Sequence, residues 1–385
     1  MRAPAPVDRD SLVATRRDIH QHPELGFEEM RTAGLIAERL RALNYQVTPG
    51  IGKTGVVGLK RNGGRCVLLR ADMDALPVEE ANAVPYRSRQ TGKMHACGHD
   101  GHVAIGLEVA RRLAPLELAG SVKFAFQPAE EVSNGAQAMI NDGVLDKPKV
   151  DAAFGIHLWN DLPVGTIGIM AGPVMASVDQ FEIEVLGRGG HAAAPHQTID
   201  PVLVAAHVIT ALQSLVSRRR DPLAEAVVSV TEIHAGRAFN VIPDRADLRG
   251  TVRTFGGRFY DEAPQLVEAT AHGIAGAFGA SAQVRYRRLS KPLVNDARMA
   301  ALMKGVAQEI VARERVIDGV RTMGGEDMSY FLASVPGAFA FVGSAPPDKK
   351  GAPHHSPTFD IDEESLVVAA ELVTRTVVRY LESGL

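Results

Sequence analysis

The sequence predicts an α/β protein of two domains: one has a mainly parallel central sheet flanked by helices, and the other is an inserted α+β domain. Two observations lead to this prediction. Strand-length apolar runs, for example 66–69, alternate with helical periodicities, which is typical of interior strands in a covered sheet. From about Gly172 the strands instead alternate apolar and polar residues, as in a sheet with one open face. A chain of 385 residues is long enough for both domains.

The first domain begins with two helices within 8–43, which Pro23 and Gly26 separate. Strands and helices then alternate, with glycine-rich turns between the early strands. The predicted strands are 45–48, 55–60, 67–70, 121–126 and 152–157, and the predicted helices are 103–113 and 135–141.

The second domain follows the order strand, helix, strand, strand, helix, strand. Its predicted strands are 180–186, 226–234, 246–254 and 283–288, and its predicted helices are 201–217 and 260–278. This order is that of one α+β unit with a four-stranded sheet and two helices on one face. The chain then returns to the first domain with a helix at 297–314, a strand at 338–342 and a helix at 364–381. We therefore expect a discontinuous domain, 1–175 with 292–385, and an inserted domain, 176–291.

The composition excludes several classes of protein. The net charge is −3 with 23% charged residues, so nucleic acid is not an expected partner. Two cysteines indicate no disulfide framework and favour a reducing, cytoplasmic location. The N-terminal segment lacks the apolar core of a signal peptide, and no apolar run of about 18 residues is evident, so we expect no membrane span.

The segment 94–102 carries the strongest chemical signal. It holds three histidines, one aspartate and Cys97 within nine residues. Cys97 and His99 are two positions apart, so in extended backbone their side chains point the same way. A thiolate and an imidazole that converge suit zinc or a neighbouring divalent metal. Taken alone, Cys97 is better explained as a buried cysteine in a histidine-rich turn.

Polar side chains also stand at the ends of three predicted strands. They are Asp72 and Asp74, Glu130 and Glu131, and His157. Each has a simpler explanation by itself, such as an Asp-rich turn, a charge cluster at a helix N-terminus or a satisfied histidine. Carboxyl ends of parallel strands share one edge of the sheet, however. Together with the cysteine–histidine segment, they predict a metal site at that edge.

Eight segments, taken together, resemble the motifs of one known family. In chain order they are 71–77, 94–100, 127–131, 155–157, 189–196, 240–243, 325–327 and 355–357. They resemble the M20 metallopeptidases, in the amidohydrolase branch that includes hippurate hydrolases and auxin-conjugate hydrolases. The resemblance implies a catalytic domain with a mainly parallel sheet, interrupted by an α+β lid that often forms dimers. It thus implies a homodimer, with a tetramer as the alternative.

The resemblance also implies a pair of divalent metal ions, Mn²⁺ or Zn²⁺, with Co²⁺ or Ni²⁺ as alternatives. Carried over from the family motifs, the ligands are Cys97, His99, Glu131, His157 and His355. Glu130 matches the general base of the family. Asp74 matches the aspartate that orients a metal-bound histidine.

Other residues near these motifs have open roles. Other branches carry a histidine where Asp72 stands, so whether Asp72 binds metal is open. His95, His102 and His354 match no ligand position, and we interpret them as supporting or structural residues.

Three residues of the predicted lid are candidates for substrate binding. His191 is a candidate donor to the oxyanion of the tetrahedral state, from its own chain or from a second subunit. Arg253, thirteen residues after Asn240, has a spacing that resembles carboxylate-binding arginines of related members. The alternative for Arg253 is a surface arginine on a strand.

The resulting hypothesis is hydrolysis of a small-molecule N-acyl amino acid, hippurate-like or N-acetylated, to a carboxylate and a free amino acid. A metal-activated water would attack, with Glu130 as general base. Two alternatives remain: a dipeptidase or carboxypeptidase on the same scaffold, and a metal-dependent binding protein without catalysis. A structural zinc protein is a weaker option, because structural zinc sites favour closed, cysteine-rich ligand sets.

Overall fold

The computed structural model describes residues 3–132, 134–346 and 352–383. The chain groups into two compact units. The first comprises Met1–Val174, Val294–Val320 and Asp327–Leu385, and the second comprises Met175–Leu293 and Arg321–Glu326. Compared with the expected domains, the short segment Arg321–Glu326 groups with the second unit.

The described residues form strands and helices throughout both units. The strands are β1 (Gln46–Ile51), β2 (Gly55–Lys60), β3 (Cys66–Asp72), β4 (Ser121–Gln127), β5 (Ala152–Pro163), β6 (Ile167–Gly168), β7 (Gly172–Met175), β8 (Val178–Leu186), β9 (Gly190–His191), β10 (Ala226–Ala235), β11 (Val241–Ile242), β12 (Arg245–Thr254), β13 (Ser281–Ser290), β14 (Leu293–Asn295), β15 (Val316–Ile317) and β16 (Gly337–Ala345). The α-helices are α1 (Arg9–His20), α2 (Met30–Ala42), α3 (His99–Leu113), α4 (Gly135–Asn141), α5 (Pro201–Ser214), α6 (Gly257–Ala277), α7 (Ala297–Ile310), α8 (Met328–Ser334) and α9 (Glu364–Ser383). Shorter helical segments are Pro195–Gln197, Leu215–Arg219 and Arg313–Arg315.

The first unit is built on an eight-stranded sheet with the order β1-β2-β4-β3-β5-β16-β6-β15. Its central strands β4, β3, β5 and β16 are parallel, whereas β1, β2 and β6 pair antiparallel with their inner neighbours. Every residue of β3 and β4 is buried, as expected for strands covered on both faces. The α/β fold class with a mainly parallel sheet is confirmed.

The register of the central strands brings the polar strand ends to one edge. Asp72 pairs with Gln127 at the end of β3 and β4. Leu69 pairs with Phe154 of β5, so three residues later the two strands reach Asp72 and His157. The core of this unit joins the strands to α1, α2, α3, α7 and α9, with buried side chains that include Leu12, Ile36, Leu107, Met303 and Leu366. The hydrophobic core thus supports the edge on which the polar residues meet.

The second unit has a four-stranded antiparallel sheet with the order β10-β12-β8-β13. Burial alternates along β8, where Phe181, Ile183 and Val185 are buried. They share a core with Val208 of α5 and Val267 of α6, so the two helices cover one face of the sheet. The predicted order of strands and helices in this unit is confirmed.

Several element ends differ from the prediction. α7 ends at Ile310 rather than 314, because Val311 has extended backbone (φ −120°, ψ 161°). α5 ends at Ser214 and continues as a π-helical turn, Leu215–Arg219. The predicted loop at Gly189 contains the short strand β9, which pairs with β11.

One described helical stretch, Pro201–Arg219, is long and apolar enough to cross a membrane by length and composition. From the sequence we expected no such stretch. About a third (33%) of the most apolar 18 residues of this stretch is buried. A single stretch of this kind is weak evidence for a membrane span, since apolar helices of other proteins meet the same criterion.

Candidate active site

His99 begins α3 and is oriented by Asp74. Gly98, directly before the helix, has a φ of 88°, a left-handed conformation that favours glycine. His99 Nδ1 lies 3.0 Å from the carbonyl oxygen of Asp74 and 3.2 Å from its Oδ1. Nδ1–H therefore donates to Asp74, and in the neutral imidazole that metal binding requires, Nε2 carries a lone pair. Asp74 Oδ2 accepts from the backbone N–H of Glu131 at 2.9 Å, so one carboxylate holds two predicted ligands.

Cys97 and His157 meet on the other side of His99. The Sγ of Cys97 lies 3.5 Å from Nε2 of His157. His157 Nδ1–H donates to the carbonyl oxygen of Leu158 at 2.7 Å, so Nε2 directs a lone pair at the sulfur. Ligand atoms of Cys97, His99 and His157 all lie within 4.8 Å of one another. These three buried side chains could hold one metal ion.

A second group shares Cys97 and adds Glu131 and His355. Their ligand atoms also lie within 4.8 Å of one another. Glu131 Oε2 is 3.4 Å from His355 Nε2, and Glu131 Oε1 is 3.9 Å from His99 Nε2. The side chain of His355 is 54% exposed, while its backbone N–H donates to Ala96 at 2.8 Å. The five predicted ligands thus form two overlapping groups that share Cys97.

The unpaired atoms of this cluster fit a cation. Within the described chain, His99 Nε2 and Glu131 Oε1 are buried without a hydrogen-bond partner. Burial, followed by the charges of Glu131 and Glu130, raises the pKa of Cys97 well above its ordinary value. Burial and the nearby Asp74 raise the pKa of Glu131 to about 7, although His99 opposes this. A divalent cation would satisfy the lone pairs and offset the crowded negative charge.

Asp72 is engaged by two donors of its own. His102 Nδ1–H donates to Asp72 Oδ1 at 2.5 Å, and Arg70 Nη1 donates to Oδ2 at 2.5 Å. His102 Nε2 in turn accepts from the backbone N–H of Leu158 at 3.0 Å, so both its nitrogens are committed. Burial favours protonation of Asp72, but Arg70 and His99 outweigh it and hold the pKa well below its usual range. We interpret Asp72 and His102 as an anchor for β5 rather than as ligands.

Glu130 is held from the side of α8. Its Oε1 accepts from the backbone N–H of Asp327 at 3.3 Å. The buried carboxylate of Asp327 accepts from Arg70 at 3.0 Å, from Gln127 at 2.7 Å and from the backbone N–H of Ala136 at 2.9 Å. The sequence prediction missed this network. Arg70 could have been noticed as a charged residue in an otherwise apolar strand, and Asp327 as part of a family motif without an assigned role.

Glu29 supports the loop that carries Glu130 through a hydrogen bond. Ala129, next to Glu130, has a φ of 52°, and its backbone N–H donates to Glu29 Oε1 at 2.9 Å. Glu29 Oε2 accepts from Thr54 Oγ1, and the carboxylate is buried. A non-glycine residue at positive φ carries strain, which the hydrogen bond from its N–H helps to offset.

The remaining histidines occupy different environments. His354 Nε2 accepts from the backbone N–H of Asn160 at 3.2 Å, and its Nδ1 lies 3.7 Å from Cys97 Sγ. His95 is buried, and neither of its nitrogens has a hydrogen-bond partner in the described chain. Burial lowers the pKa of His95 to about 4.

The structure brings together two of the three candidate substrate residues. His191 of β9 pairs with Val241, and the carbonyl of Asn240 accepts from the N–H of Ala192 at 3.1 Å. His191 is exposed, and its Nδ1 accepts from the N–H of Ala193 at 3.0 Å.

Arg253 lies elsewhere in the second unit, on β12 of the four-stranded sheet. Its Nε donates to Thr251 Oγ1 at 3.0 Å, and burial lowers its pKa. The side chain of Arg253 is therefore partly withdrawn from solvent.

Comparison with known proteins places the chain among hydrolases. The model of peptidase family M20/M25/M40 matches residues 68–379. The chain is 40% identical over 377 residues to N-acetyl-L-cysteine deacetylase of Bacillus subtilis, which covers 97% of this chain and 89% of that protein. It is 39% identical over 387 residues to IAA-amino acid hydrolase ILR1-like 2 of Arabidopsis thaliana, with 99% and 87% covered.

Two further relatives bear on the metal site and on the reaction. The crystal structure of a dinuclear metal-binding M20 peptidase, the YXEP protein of Bacillus subtilis, has a TM-score of 0.84 and 36% identity, with 97% of this chain and 98% of that chain covered. Thermostable carboxypeptidase 2 of Saccharolobus solfataricus is 39% identical over 371 residues, with 94% and 93% covered. One of these relatives is a dinuclear metal-binding peptidase, and the names of the others are those of enzymes that hydrolyse amide bonds.

Proposed function

The chain belongs to peptidase family M20/M25/M40, and from this premise we propose that it hydrolyses N-acyl amino acids to a carboxylate and a free amino acid. Family membership makes it a metal-dependent amide hydrolase; the substrate is our proposal. One observation carries it: Glu130 stands beside a cluster in which His99 Nε2 and Glu131 Oε1 are buried and lack partners within the described chain. A base next to such a cluster suits hydrolysis by water.

We propose that two divalent ions, Mn²⁺ or Zn²⁺, are held by the side chains that converge at the sheet edge. The proposed ligands are Cys97, His99, Glu131, His157 and His355. Mixed sulfur, nitrogen and oxygen ligands suit borderline metals, so Co²⁺ and Ni²⁺ remain alternatives. When bound, such a pair lowers the pKa of a water molecule and polarises the scissile carbonyl.

Glu130 acts as general base and then as general acid. Its carboxylate takes the proton of the attacking water and delivers it to the leaving amine, so one residue serves both halves of the reaction. The N–H of Asp327 fixes Oε1, and Ala129 is fixed through Glu29. Such fixed hydrogen bonds keep the base in one orientation and reduce the cost of ordering it during the reaction.

The substrate assignment follows from what the named relatives act on. An N-acetylcysteine and an indole-acetyl amino acid share an amide bond next to an α-carboxylate and differ in the acyl group. We propose that Arg253 binds the carboxylate bidentately, that His191 donates to the oxyanion, and that Asn240 binds substrate. We also propose a homodimer, with a tetramer as the alternative; light scattering of the purified protein measures this directly.

A carboxypeptidase is the second candidate, because one relative of similar identity bears that name. Both reactions release a free amino acid from an amide. They differ in what lies on the acyl side: a simple acid in one case and an amino acid or peptide in the other.

A panel of substrates separates the two candidates. We expect N-acetyl, N-benzoyl or indole-acetyl amino acids to be hydrolysed with a higher kcat/KM than dipeptides, when each is assayed with added Mn²⁺ or Zn²⁺. Higher kcat/KM for dipeptides would favour the carboxypeptidase. No turnover of either class by metal-loaded protein would contradict both proposals and favour a binding protein.

A further inference from the structure

We propose that His354 is a positioning residue for Cys97: its Nδ1–H donates a hydrogen bond to Sγ and stabilises the thiolate that would bind metal. This inference rests on the proposed metal-binding role of Cys97. His354 matches no ligand position of the family motifs, and its neighbour His355 is the proposed ligand.

The hydrogen bonds of His354 determine which of its nitrogens carries the proton. The backbone N–H of Asn160 donates to Nε2 at 3.2 Å, so Nε2 must be an acceptor. In neutral imidazole the other nitrogen then carries the hydrogen. That nitrogen, Nδ1, lies 3.7 Å from Cys97 Sγ, a distance suited to an N–H···S hydrogen bond.

The other imidazole in contact with Cys97 is that of His157, and it presents a lone pair instead of an N–H to the sulfur. His157 Nδ1–H donates to Leu158 O, so its Nε2, 3.5 Å from Sγ, presents a lone pair. Of these two imidazoles, His354 therefore offers a hydrogen and His157 offers a ligand atom. A cation bound by Sγ and by His157 Nε2 would leave the bond from His354 in place.

Aromatic neighbours fix the ring of His354. It stacks on Trp159 with a centroid distance of 4.7 Å and an angle of 28°, and it contacts Phe359 at 5.0 Å. The donor backbone is fixed too, because Asn160 Nδ2 donates to the carbonyl of Asp360 at 2.8 Å. The N–H of His354 thus needs no reorganisation to meet the sulfur.

The hydrogen bond from His354 lowers the free-energy cost of forming the thiolate of Cys97. Cys97 is buried and its Sγ lies within 4.8 Å of a carboxylate oxygen of Glu131, and both conditions disfavour a thiolate. A hydrogen bond to a charged acceptor is stronger than a neutral one and disperses part of its charge. Partners of this kind behind a metal ligand typically change metal affinity by about 10- to 100-fold.

Two substitutions distinguish the contribution of the N–H donor of His354 from that of its aromatic ring. His354→Phe keeps an aromatic ring between Trp159 and Phe359 but has no N–H. His354→Asn loses the ring but keeps an amide N–H as many bonds from Cα as Nδ1. We propose to load each protein with Co²⁺, to record the sulfur-to-cobalt charge-transfer band, and to measure the Kd by competition with a chelator. Cys97→Ser, which should lack the band, verifies its origin.

We expect His354→Phe to bind Co²⁺ about 10- to 100-fold more weakly and to shift the band to longer wavelength, because an unshielded thiolate gives up charge more readily. His354→Asn should lie closer to the wild type in both measurements. An unchanged Kd and band in His354→Phe would overturn the inference, as would equal losses in both variants. A wild-type protein without the band would also overturn it.

A measurement on the wild type covers the case in which a variant does not fold. In zinc-loaded protein with ¹⁵N-labelled histidine, NMR should show His354 protonated at Nδ1 and not at Nε2. The opposite tautomer would refute the proposal. None of these measurements uses a substrate, so a failed hydrolysis panel would contradict the proposed function and leave this inference standing.

Discussion

Arg70 Nη2 donates to Asp327 Oδ1 at 3.0 Å, and both side chains are shielded from solvent. The two residues are far apart in the chain, yet this contact joins the end of β3 to the start of α8. Since Arg70 also holds Asp72 and Asp327 also holds Glu130, one buried ion pair links two sides of the candidate site.

Removal of Asp327 tests this link. Asp327→Ala removes a buried carboxylate that Arg70 contacts, so we expect the free energy of unfolding to fall by about 3–5 kcal/mol. Urea titration followed by circular dichroism measures the loss. The matched control is Asp318→Ala: Asp318 pairs with Lys304 at 2.6 Å on the surface, and we expect a loss of about 1 kcal/mol or less. Similar losses in the two variants would refute the assigned importance of the buried pair.

The role of Glu130 is tested by Glu130→Gln, which keeps the shape of the side chain but cannot accept a proton. We expect the metal content to persist and kcat to fall by about 10² or more, as for loss of a general base. Glu131→Gln is the neighbouring control, in which we expect metal content to fall as well. A drop in kcat of less than about tenfold, which is worth about 1.4 kcal/mol, would exclude Glu130 as the base.

The substrate roles of His191 and Arg253 predict different kinetic effects. His191→Ala should lower kcat with unchanged metal content, because it removes a donor needed in the transition state. Arg253→Ala should mainly raise KM for carboxylate substrates, because it removes binding that ground and transition states share. Steady-state kinetics with an N-acyl amino acid and its amide analogue measure both. Equal KM effects on the carboxylate and the amide would argue against a carboxylate contact.

Mixing the Glu130→Gln protein with the His191→Ala protein tests whether His191 acts across subunits. If it does, Glu130→Gln and His191→Ala proteins should regain partial activity when they exchange subunits. No regained activity despite demonstrated exchange would mean that His191 acts within its own chain or not at all.

The buried His20 predicts a dependence of stability on pH. Its Nδ1 lies 2.8 Å from Asp100 Oδ2, and its Nε2 lies 3.3 Å from Glu80 Oε1. Burial and the neighbouring Arg16 lower the pKa of His20, but the two carboxylates outweigh them and raise it above the ordinary value. Because folding favours the protonated form, its stabilisation is complete below about pH 6.5 and is lost as the pH rises through the folded-state pKa.

Unfolding free energies of the wild type and His20→Gln between pH 6 and 9 measure this effect. The advantage of the wild type should shrink as the pH rises. The rings of Tyr86 and His95 complete the surroundings of His20 and are retained in both proteins. Thr374→Val, which changes a buried neutral residue, is the control and should differ from the wild type by a constant amount. A constant difference for His20→Gln as well would contradict the raised pKa.

The fold could be predicted because its long elements carry clear periodicity. The alternation of Phe181, Ile183 and Val185, for example, shows which side of β8 is buried. Two-residue strands such as β6 and β15 contain too few residues for any period, so they could not be seen in the sequence. The early end of α7 was missed because the apolar Val311 continues the helical pattern although its backbone is extended.

The candidate site was predicted from polar residues at strand ends and from the family motifs, as for Cys97 and Glu130, and the roles of these residues stay predictions. The hydrogen bonds and ion pairs that support the site could not be predicted from the sequence. Arg70 and Asp327 meet only after the sheet has formed, and no local pattern connects positions so distant in the chain. For the adjacent His354 and His355, the family motifs indicate His355 as the candidate ligand, whereas the contact between His354 Nδ1 and Cys97 Sγ becomes visible only in three dimensions.

The position of β16 has a consequence for how the protein is made. Among the described residues this strand is the last in chain order, yet it pairs with β5 on one side and with β6 on the other. On the ribosome, every other strand of the eight-stranded sheet emerges before it. Until residue 345 has been synthesised, β5 and β6 have unpaired edges where β16 will lie, and exposed edges of this kind invite association with other chains. A polypeptide released before Gly337 therefore cannot complete its sheet, however much of the chain has already been translated.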